Sequence, residues 1–204
     1  MTDRKSLIQL INNNLTDKES IHSYVPVYEH KLGPRRDTVK RVLEVGIERG
    51  GSLLLWRDYF PKAEVWGFDI QDHLPACLKD QQRIKVFKAN AYQKEIVTDL
   101  IQKGLYFDVI VDDGPHTLES MCFFAKYYSQ LLAPGGVLCI EDIPNPDWLD
   151  AISGCVPTHL RPFMEAYDLR TNKGRFDDIM FFINHQQTPQ MPPGLLGATL
   201  PLRR

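Results

Sequence analysis

Two short acidic runs in this sequence carry side chains whose types and spacing could do chemistry together. One is Asp112-Asp113-Gly114-Pro115-His116 and the other is Glu141-Asp142. Each closes an apolar run of strand character, 107–111 and 137–140, so both sets of carboxylates should stand at strand ends. Neighbouring strands lie about 4.8 Å apart, close enough for Asp113, Glu141 and Asp142 to converge on one cation. Gathering three carboxylates without a positive charge would be costly, and a cation removes that cost. Oxygen donors with open positions left over suit Mg²⁺ best among divalent ions. His116 follows Asp113 by three residues, after a Gly-Pro turn. An imidazole, which titrates at about 6.5 when unperturbed, is the natural general base at neutral pH. Asp112 reads as a structural or cofactor-side carboxylate.

A second constellation lies nearer the N-terminus, in Glu44-Val45-Gly46-Ile47-Glu48-Arg49-Gly50-Gly51-Ser52. Glycines between a strand and a helix N-terminus let a ligand approach the backbone. The dinucleotide pattern G-x-G-x-x-G fails because Glu48 stands at its second glycine, and a pyrophosphate would meet Glu44 and Glu48. S-adenosylmethionine fits better, since it has no phosphate and carries an ammonium and a sulfonium. Glu44, Gly46, Gly50 and Ser52 are the expected contacts. Asp69, at the end of the next strand, is placed for the ribose hydroxyls. Asn90 and Tyr92, after the third strand, are candidates for the adenine, against the alternative that they are plain loop residues. Together the two constellations suggest an ion that binds two neighbouring hydroxyls and acidifies one, with His116 taking its proton and the oxygen attacking the sulfonium methyl.

The elements that must position these residues follow from periodicity. Strand-like runs at 42–45, 65–69, 84–87, 107–111 and 137–140 alternate with helical stretches at 51–60, 94–103 and 118–132. Near-continuous apolar strands separated by helices specify a parallel sheet covered on both faces, a doubly wound α/β fold. Runs at 164–169 and 179–183 have no room for a helix between them, so the sheet should end in an antiparallel hairpin. Residues 1–20 read as an amphipathic helix, in an N-terminal cap segment spanning 1–38. The methyl-transfer domain would span 39–185, and the Pro-rich tail 186–204 should trail off. The basic stretch 31–41 reads as a solvated connection.

Composition narrows the partners. With 24 Lys plus Arg against 26 Asp plus Glu, the formal charge of -2 gives no footprint for nucleic acid or an anionic membrane. No apolar run approaches the roughly 20 residues that cross a bilayer. Four cysteines without a C-x-x-C pair suggest a reduced, cytoplasmic protein. Oligomeric state is left open, a homo-oligomer included. His22, Tyr24 and Tyr28, which precede the first strand, are candidates to close over cofactor or acceptor, although an aromatic pair at i, i+4 is also a common packing staple. Trp148 could line an acceptor pocket, stacking on a sugar's C–H face, while Trp66 reads as core. Arg170, Arg175, Asp177 and Asp178 read as a surface ion network around the hairpin turn.

Several of these runs together resemble one family. They are 22–29 (HSYVPVYE), Val42 to Gly46 with Gly50-Gly51-Ser52-Leu53, 56–61 (WRDYFP), 107–116 (FDVIVDDGPH), and Pro134-Gly135-Gly136-Val137 with Glu141-Asp142. They are similar to the metal-dependent sugar O-methyltransferases of the macrocin, mycinamicin and tetracenomycin-rhamnosyl type, over about residues 20–184. The resemblance implies a class I methyltransferase fold, S-adenosylmethionine, Mg²⁺ and a deoxysugar hydroxyl such as rhamnose on a glycan or glycosylated metabolite. It also implies Asp113, Glu141 and Asp142 as metal acids and His116 as base. Asn90 stands where the family usually has an acid and Pro115 where serine is common. The chain is shorter than macrolide enzymes with a large N-terminal domain, which leaves the acceptor open. The rival readings are a catechol-type metal-dependent O-methyltransferase, a dinucleotide-dependent oxidoreductase, and a non-catalytic binding module.

Overall fold

The computed structural model describes residues 4–72, 75–185, 198–200 and 202. Among the described residues, eight strands form one sheet. The central five are β1 (Arg41–Val45), β2 (Glu64–Asp69), β3 (Ile84–Lys88), β4 (Phe107–Asp112) and β5 (Leu132–Ile140), all parallel. With β6 (Met164–Asp168), β7 (Ile179–Asn184) and β8 (Ala198–Thr199), the order is β3-β2-β1-β4-β5-β7-β6-β8. The connections carry α3 (Gly51–Tyr59), α4 (Lys94–Gln102) and α5 (Leu118–Tyr127), and the expected doubly wound sheet is present. Strand order reverses between β1 and β4. That reversal opens a crevice at the carboxyl ends of the strands, where ligands bind in such sheets.

Strand side chains alternate between two apolar layers. Val42, Val65, Val109, Val111, Cys139 and Phe182 face Tyr28, Trp56, Tyr59 and Phe60 on one side. Leu43, Val45, Ile110, Leu138 and Ile140 face Phe124, Tyr128 and Leu131 on the other. Trp66 is only partly buried at the margin of the second layer. Beyond β5 the chain forms α6 (Trp148–Cys155), then β6 (Met164–Asp168) and β7 (Ile179–Asn184). β7 runs antiparallel to both β5 and β6, as the short connection requires. That connection holds a one-turn helix, α7 (Arg170–Lys173), closed by Gly174 at φ 72°.

Several local expectations need correction. Residues 1–20 are not one helix: α1 spans only Leu7–Leu10. The asparagines that follow stop it, since Asn side chains compete for backbone groups, and Asn14 N–H donates to Asn12 Oδ1 at 3.0 Å. A second helix, α2 (Val25–Leu32), carries Tyr28 into the core. The stretch 31–41 is not simply solvated. Lys31 is buried and bonds Glu165, while Arg35 is buried and donates to the Gly135 carbonyl at 2.8 Å and to Asn184 Oδ1 at 3.0 Å. Helix α5 yields to a 3-10 turn at Tyr128–Leu131, and β5 starts five residues early, absorbing Pro134-Gly135-Gly136 through a register shift against β4. Of the expected tail, 186–197, 201 and 203–204 lie outside the described residues. Ala198–Thr199 form β8, a two-residue strand antiparallel to β6.

Candidate functional site

A cavity of about 660 Å³ occupies the crevice at the β1/β4 reversal. Its walls include Gly46, Ser52, Asp69, Asn90, Tyr92, Asp113, His116 and Asp142, so residues from both expected constellations meet in one space. Glu44, Gly50, Asp112, Glu141, Tyr24, Tyr28 and Trp148 are outside that wall.

At the cofactor end, Asp69 closes β2. Its Oδ2 accepts the Ile47 amide at 3.0 Å and its Oδ1 that of Gln71 at 2.9 Å, which fixes the carboxylate while leaving lone pairs for a diol. Asn90 Oδ1 accepts the Tyr92 amide at 3.0 Å, shaping the turn after β3. The Tyr92 hydroxyl donates to Asp112 Oδ1. Burial pushes Asp112 up to about 8, and its second oxygen has no hydrogen-bond partner. Gly46, at φ 86°, lies where β1 and β4 touch: a Cβ there would sit 1.8 Å from the Asp113 carbonyl oxygen. Gly50, at φ 81°, packs on Leu78 instead of admitting a ligand. Glu44, expected to face a cationic ligand, is fully buried behind the loop. Its Oε2 accepts Trp56 Nε1–H at 3.0 Å and its Oε1 lies 3.3 Å from the Lys18 ammonium. Burial raises its pKa.

At the acidic end the two strand tips converge. A backbone bond joins them, the Glu141 amide donating to the Asp112 carbonyl at 3.0 Å, and the Asp113 amide donating to the Val45 carbonyl at 2.8 Å ties β4 to the end of β1. The acids nonetheless divide into two groups that share Asp113. Ligand atoms of Asp113, His116 and Asp142 lie within 4.8 Å of one another, and so do those of Glu44, Asp113 and Glu141. The first group faces the cavity, with His116 Nε2 3.8 Å from Asp113 Oδ1 and 3.6 Å from Asp142 Oδ2. The second is inward and holds the Lys18 ammonium, which bonds Glu141 Oε2 and Asp113 Oδ2, the latter at 2.8 Å. The expected trio Asp113–Glu141–Asp142 is therefore split, because Glu141 turns towards the lysine.

Buried partners hold these acids. Tyr28 donates to Glu141 Oε1 at 2.6 Å. The Tyr24 hydroxyl donates to Asp142 Oδ1 and accepts the Asp142 amide at 3.3 Å. His22 Nδ1 lies 2.9 Å from Asp178 Oδ1 and 3.3 Å from Asp142 Oδ1, and its ring stacks on Tyr24. The two tyrosines thus support the carboxylates from behind. Trp148 is half-buried against the α5–α6 layer. Asp178 is fully buried beneath His22, not in a surface network; around the hairpin turn the ion pairs are Arg175–Asp177, Arg170–Asp168 and Lys173–Glu19. His116 and Asp142 both adopt left-handed backbone, φ 51° and 55°, a strained state for such residues that the surrounding contacts sustain.

Charge follows from the crowding. Burial opposes the Lys18 ammonium, but three carboxylates overcome it and hold its pKa well above the usual lysine value. Burial also works to raise Asp113, yet Lys18 keeps it below the usual carboxylate range. Burial and neighbouring carboxylates push Glu141 and Asp142 up. Four carboxyl groups thus crowd around one lysine, and the cavity-facing set Asp113, His116 and Asp142 has the donor types that a divalent cation takes.

Sequence reasoning missed Lys18 and the cavity-lining Leu15, Thr16 and Asp17. A lysine inside Asp17-Lys18-Glu19 looks like any solvated charge, and no local signal marks it.

No protein-family profile matches the chain. It is similar to the 8-demethyl-8-alpha-L-rhamnosyl tetracenomycin-C 2'-O-methyltransferase of Streptomyces olivaceus, 27% identical over 183 residues, 85% of this chain and 44% of that protein. It is similar also to the demethylmacrocin O-methyltransferase of Streptomyces fradiae, 30% identical over 153 residues, 71% of this chain and 38% of that one. Among solved structures, a methyltransferase of the mycinamycin biosynthetic pathway, in complex with Mg, SAH and mycinamycin VI, superposes with a TM-score of 0.62 at 27% identity. That match covers 69% of this chain and 40% of the other. The fold is the class I Rossmann-like methyltransferase fold, its mostly parallel sheet ending in an antiparallel hairpin. The chain spans less than half the length of these relatives.

Proposed function

We propose that this chain, a relative of the sugar and macrolide O-methyltransferases, transfers a methyl group from S-adenosylmethionine to a sugar hydroxyl, with Mg²⁺ at its acidic end. The observation that carries the reading is the meeting of Asp113, His116 and Asp142 in one cavity with Asp69, Asn90 and Tyr92. Asp69 would hold the ribose, and Asn90 with Tyr92 the adenine. Asp113 and Asp142 would hold the ion, with Glu141 behind them. Bound there, the ion would supply positive charge that lowers the pKa of an acceptor hydroxyl. His116 Nε2 takes the hydroxyl proton. The acceptor oxygen then bonds the methyl carbon as the carbon–sulfur bond breaks, leaving a methyl ether and S-adenosylhomocysteine. The cavity holds both reactants side by side, which converts a bimolecular encounter into a local one.

Three features weigh against the rivals. Glu48 lines the cavity and would repel a dinucleotide pyrophosphate. Lys18, which could supply a lysine base for catechol chemistry, is buried and absent from the cavity wall. A binding module has no need of strained His116 and Asp142 facing each other across 3.6 Å. Among the described residues, no helix is long and apolar enough to cross a membrane. A cytoplasmic location is part of the proposal, supported by the cysteine pattern. The deciding experiment is a mass-detected screen of methyl transfer to rhamnosides and other sugars. His116→Ala should lower turnover by roughly 10²–10⁴-fold while S-adenosylhomocysteine affinity stays unchanged. Transfer to catechols but not sugars would move the assignment to the catechol class. Undiminished turnover in the variant would remove His116 from the chemistry.

A further inference from the structure

Lys18 belongs to none of the helices or strands that build the site. It sits in the turns between α1 and α2, and only its side chain enters the acidic end, where it is 1% exposed. Its ammonium takes Asp113 Oδ2 and Glu141 Oε2 and approaches Glu44 Oε1. The carboxylate oxygens that remain towards the cavity are Asp113 Oδ1 and Asp142 Oδ2, and the third donor beside them is His116 Nε2. While the ammonium stays, a divalent ion at this end has only one oxygen each from Asp113 and Asp142 on the cavity side, with His116 Nε2 beside them. With the ammonium gone, Glu141 Oε2 and Asp113 Oδ2 lose their present partner and become available to a cation.

We propose that Lys18 competes with the divalent cation for Asp113 and Glu141, so that loading of the full acidic set displaces the Asn12–Tyr24 segment. The inference rests on the reading of these acids as the metal site. The segment is suited to such a movement. It contains no α-helix, and its internal backbone bonds are turn bonds such as Ile21 N–H to Asp17 O and Tyr24 N–H to Lys18 O. At its far end Tyr24 bonds Asp142 and His22 bonds Asp178, so these buried anchors pivot or release when the turns around Lys18 move. The same segment places Leu15, Thr16 and Asp17 on the cavity wall, and a Cβ on Gly51 would lie 2.4 Å from the Leu15 carbonyl oxygen. Displacing Lys18 therefore also shifts part of the wall around the cofactor end. This joins ion loading to the shape of the nucleoside site.

The test is calorimetric titration of Mn²⁺ alone into wild-type protein and Lys18→Met, a change that keeps the apolar stem and removes the charge. Removing a unit charge a few ångströms from the ion should tighten Mn²⁺ binding by about tenfold or more. Hydrogen exchange on the wild type supplies the second reading: Mn²⁺ should speed exchange of amides across 12–24. Equal or weaker binding by a folded Lys18→Met protein overturns the competition, as does failure of both proteins to bind Mn²⁺. Unchanged or slowed exchange across 12–24 also overturns it, and decides alone if the variant does not fold. Binding of S-adenosylhomocysteine in chelator separates the two ideas. Its loss in the wild type would sink the methyltransferase reading, whereas the Mn²⁺ comparison reports on Lys18 alone.

Discussion

Replacing Gly46 by alanine perturbs the point where the two halves of the site touch. Gly46 adopts φ 86°, and an added Cβ would lie 1.8 Å from the Asp113 carbonyl oxygen and 2.6 Å from its carbonyl carbon. Ordinary van der Waals contact begins at 3.4 Å, so the β4 tip must retreat or β1 must twist. Gly174 supplies the control, because it has a similar φ of 72° and nothing within 4 Å of its notional Cβ. Gly174→Ala should therefore pay only the left-handed strain, about 1–2 kcal/mol. Gly46→Ala pays that strain and the backbone displacement as well, about 3–5 kcal/mol in all, near the upper end of single-residue effects. At about 2–4 °C per kcal/mol for a domain of this size, the melting temperature should fall by about 6–20 °C for Gly46→Ala and about 2–8 °C for Gly174→Ala. Thermal melts followed by circular dichroism measure both. Because the displaced atoms belong to Asp113, Mn²⁺ affinity should fall in Gly46→Ala and hold in Gly174→Ala. Equal destabilisation by the two substitutions, or intact Mn²⁺ binding in Gly46→Ala, would refute the claim that the strand tips are held in register by this glycine.

Two further outcomes follow from buried polar pairs. Tyr28→Phe removes the donor to Glu141 Oε1 and should cost about 1–3 kcal/mol, the penalty for leaving a buried acceptor without its partner. In a Glu141→Gln background the same change should cost less than half as much, and an undiminished cost in that double-mutant cycle would show that the tyrosine acts by packing alone. Burial works to raise Glu165, but hydrogen bonds from Lys31 and Tyr167 outweigh it and hold the carboxyl below its ordinary value of 4.5. A depressed carboxylate contributes stability above its unfolded pKa and loses it as pH falls through the folded one. Melting temperature should thus drop on acidification below about pH 4.5, and less steeply in Glu165→Gln; parallel curves for the two proteins would refute the assignment.

The central sheet was legible because its strands are apolar on both faces and its helices are spaced between them, a pattern that admits few arrangements. The hairpin at the sheet's end followed from a connection too short for a crossover. The N-terminal region was not legible in the same way. Asn12-Asn13-Asn14 interrupts an amphipathic pattern, and a periodic reading passes over such an interruption. Lys31 and Arg35 looked solvated because sequence shows charge but not the distant Glu165, Asn184 and Gly135 carbonyl that receive it.

The acidic runs and His116 were determined by sequence alone, as residue types at the ends of two strands that had to be neighbours. Which oxygens face the cavity was decided only by the tertiary structure. Lys18 reaches Glu141 across 123 positions of chain, and Tyr24 reaches Asp142 across 118. Contacts at such separations leave no periodicity to read. They arise because the N-terminal turns pack over the β1 and β4 tips, where a buried ammonium is tolerable only among the carboxylates that need it.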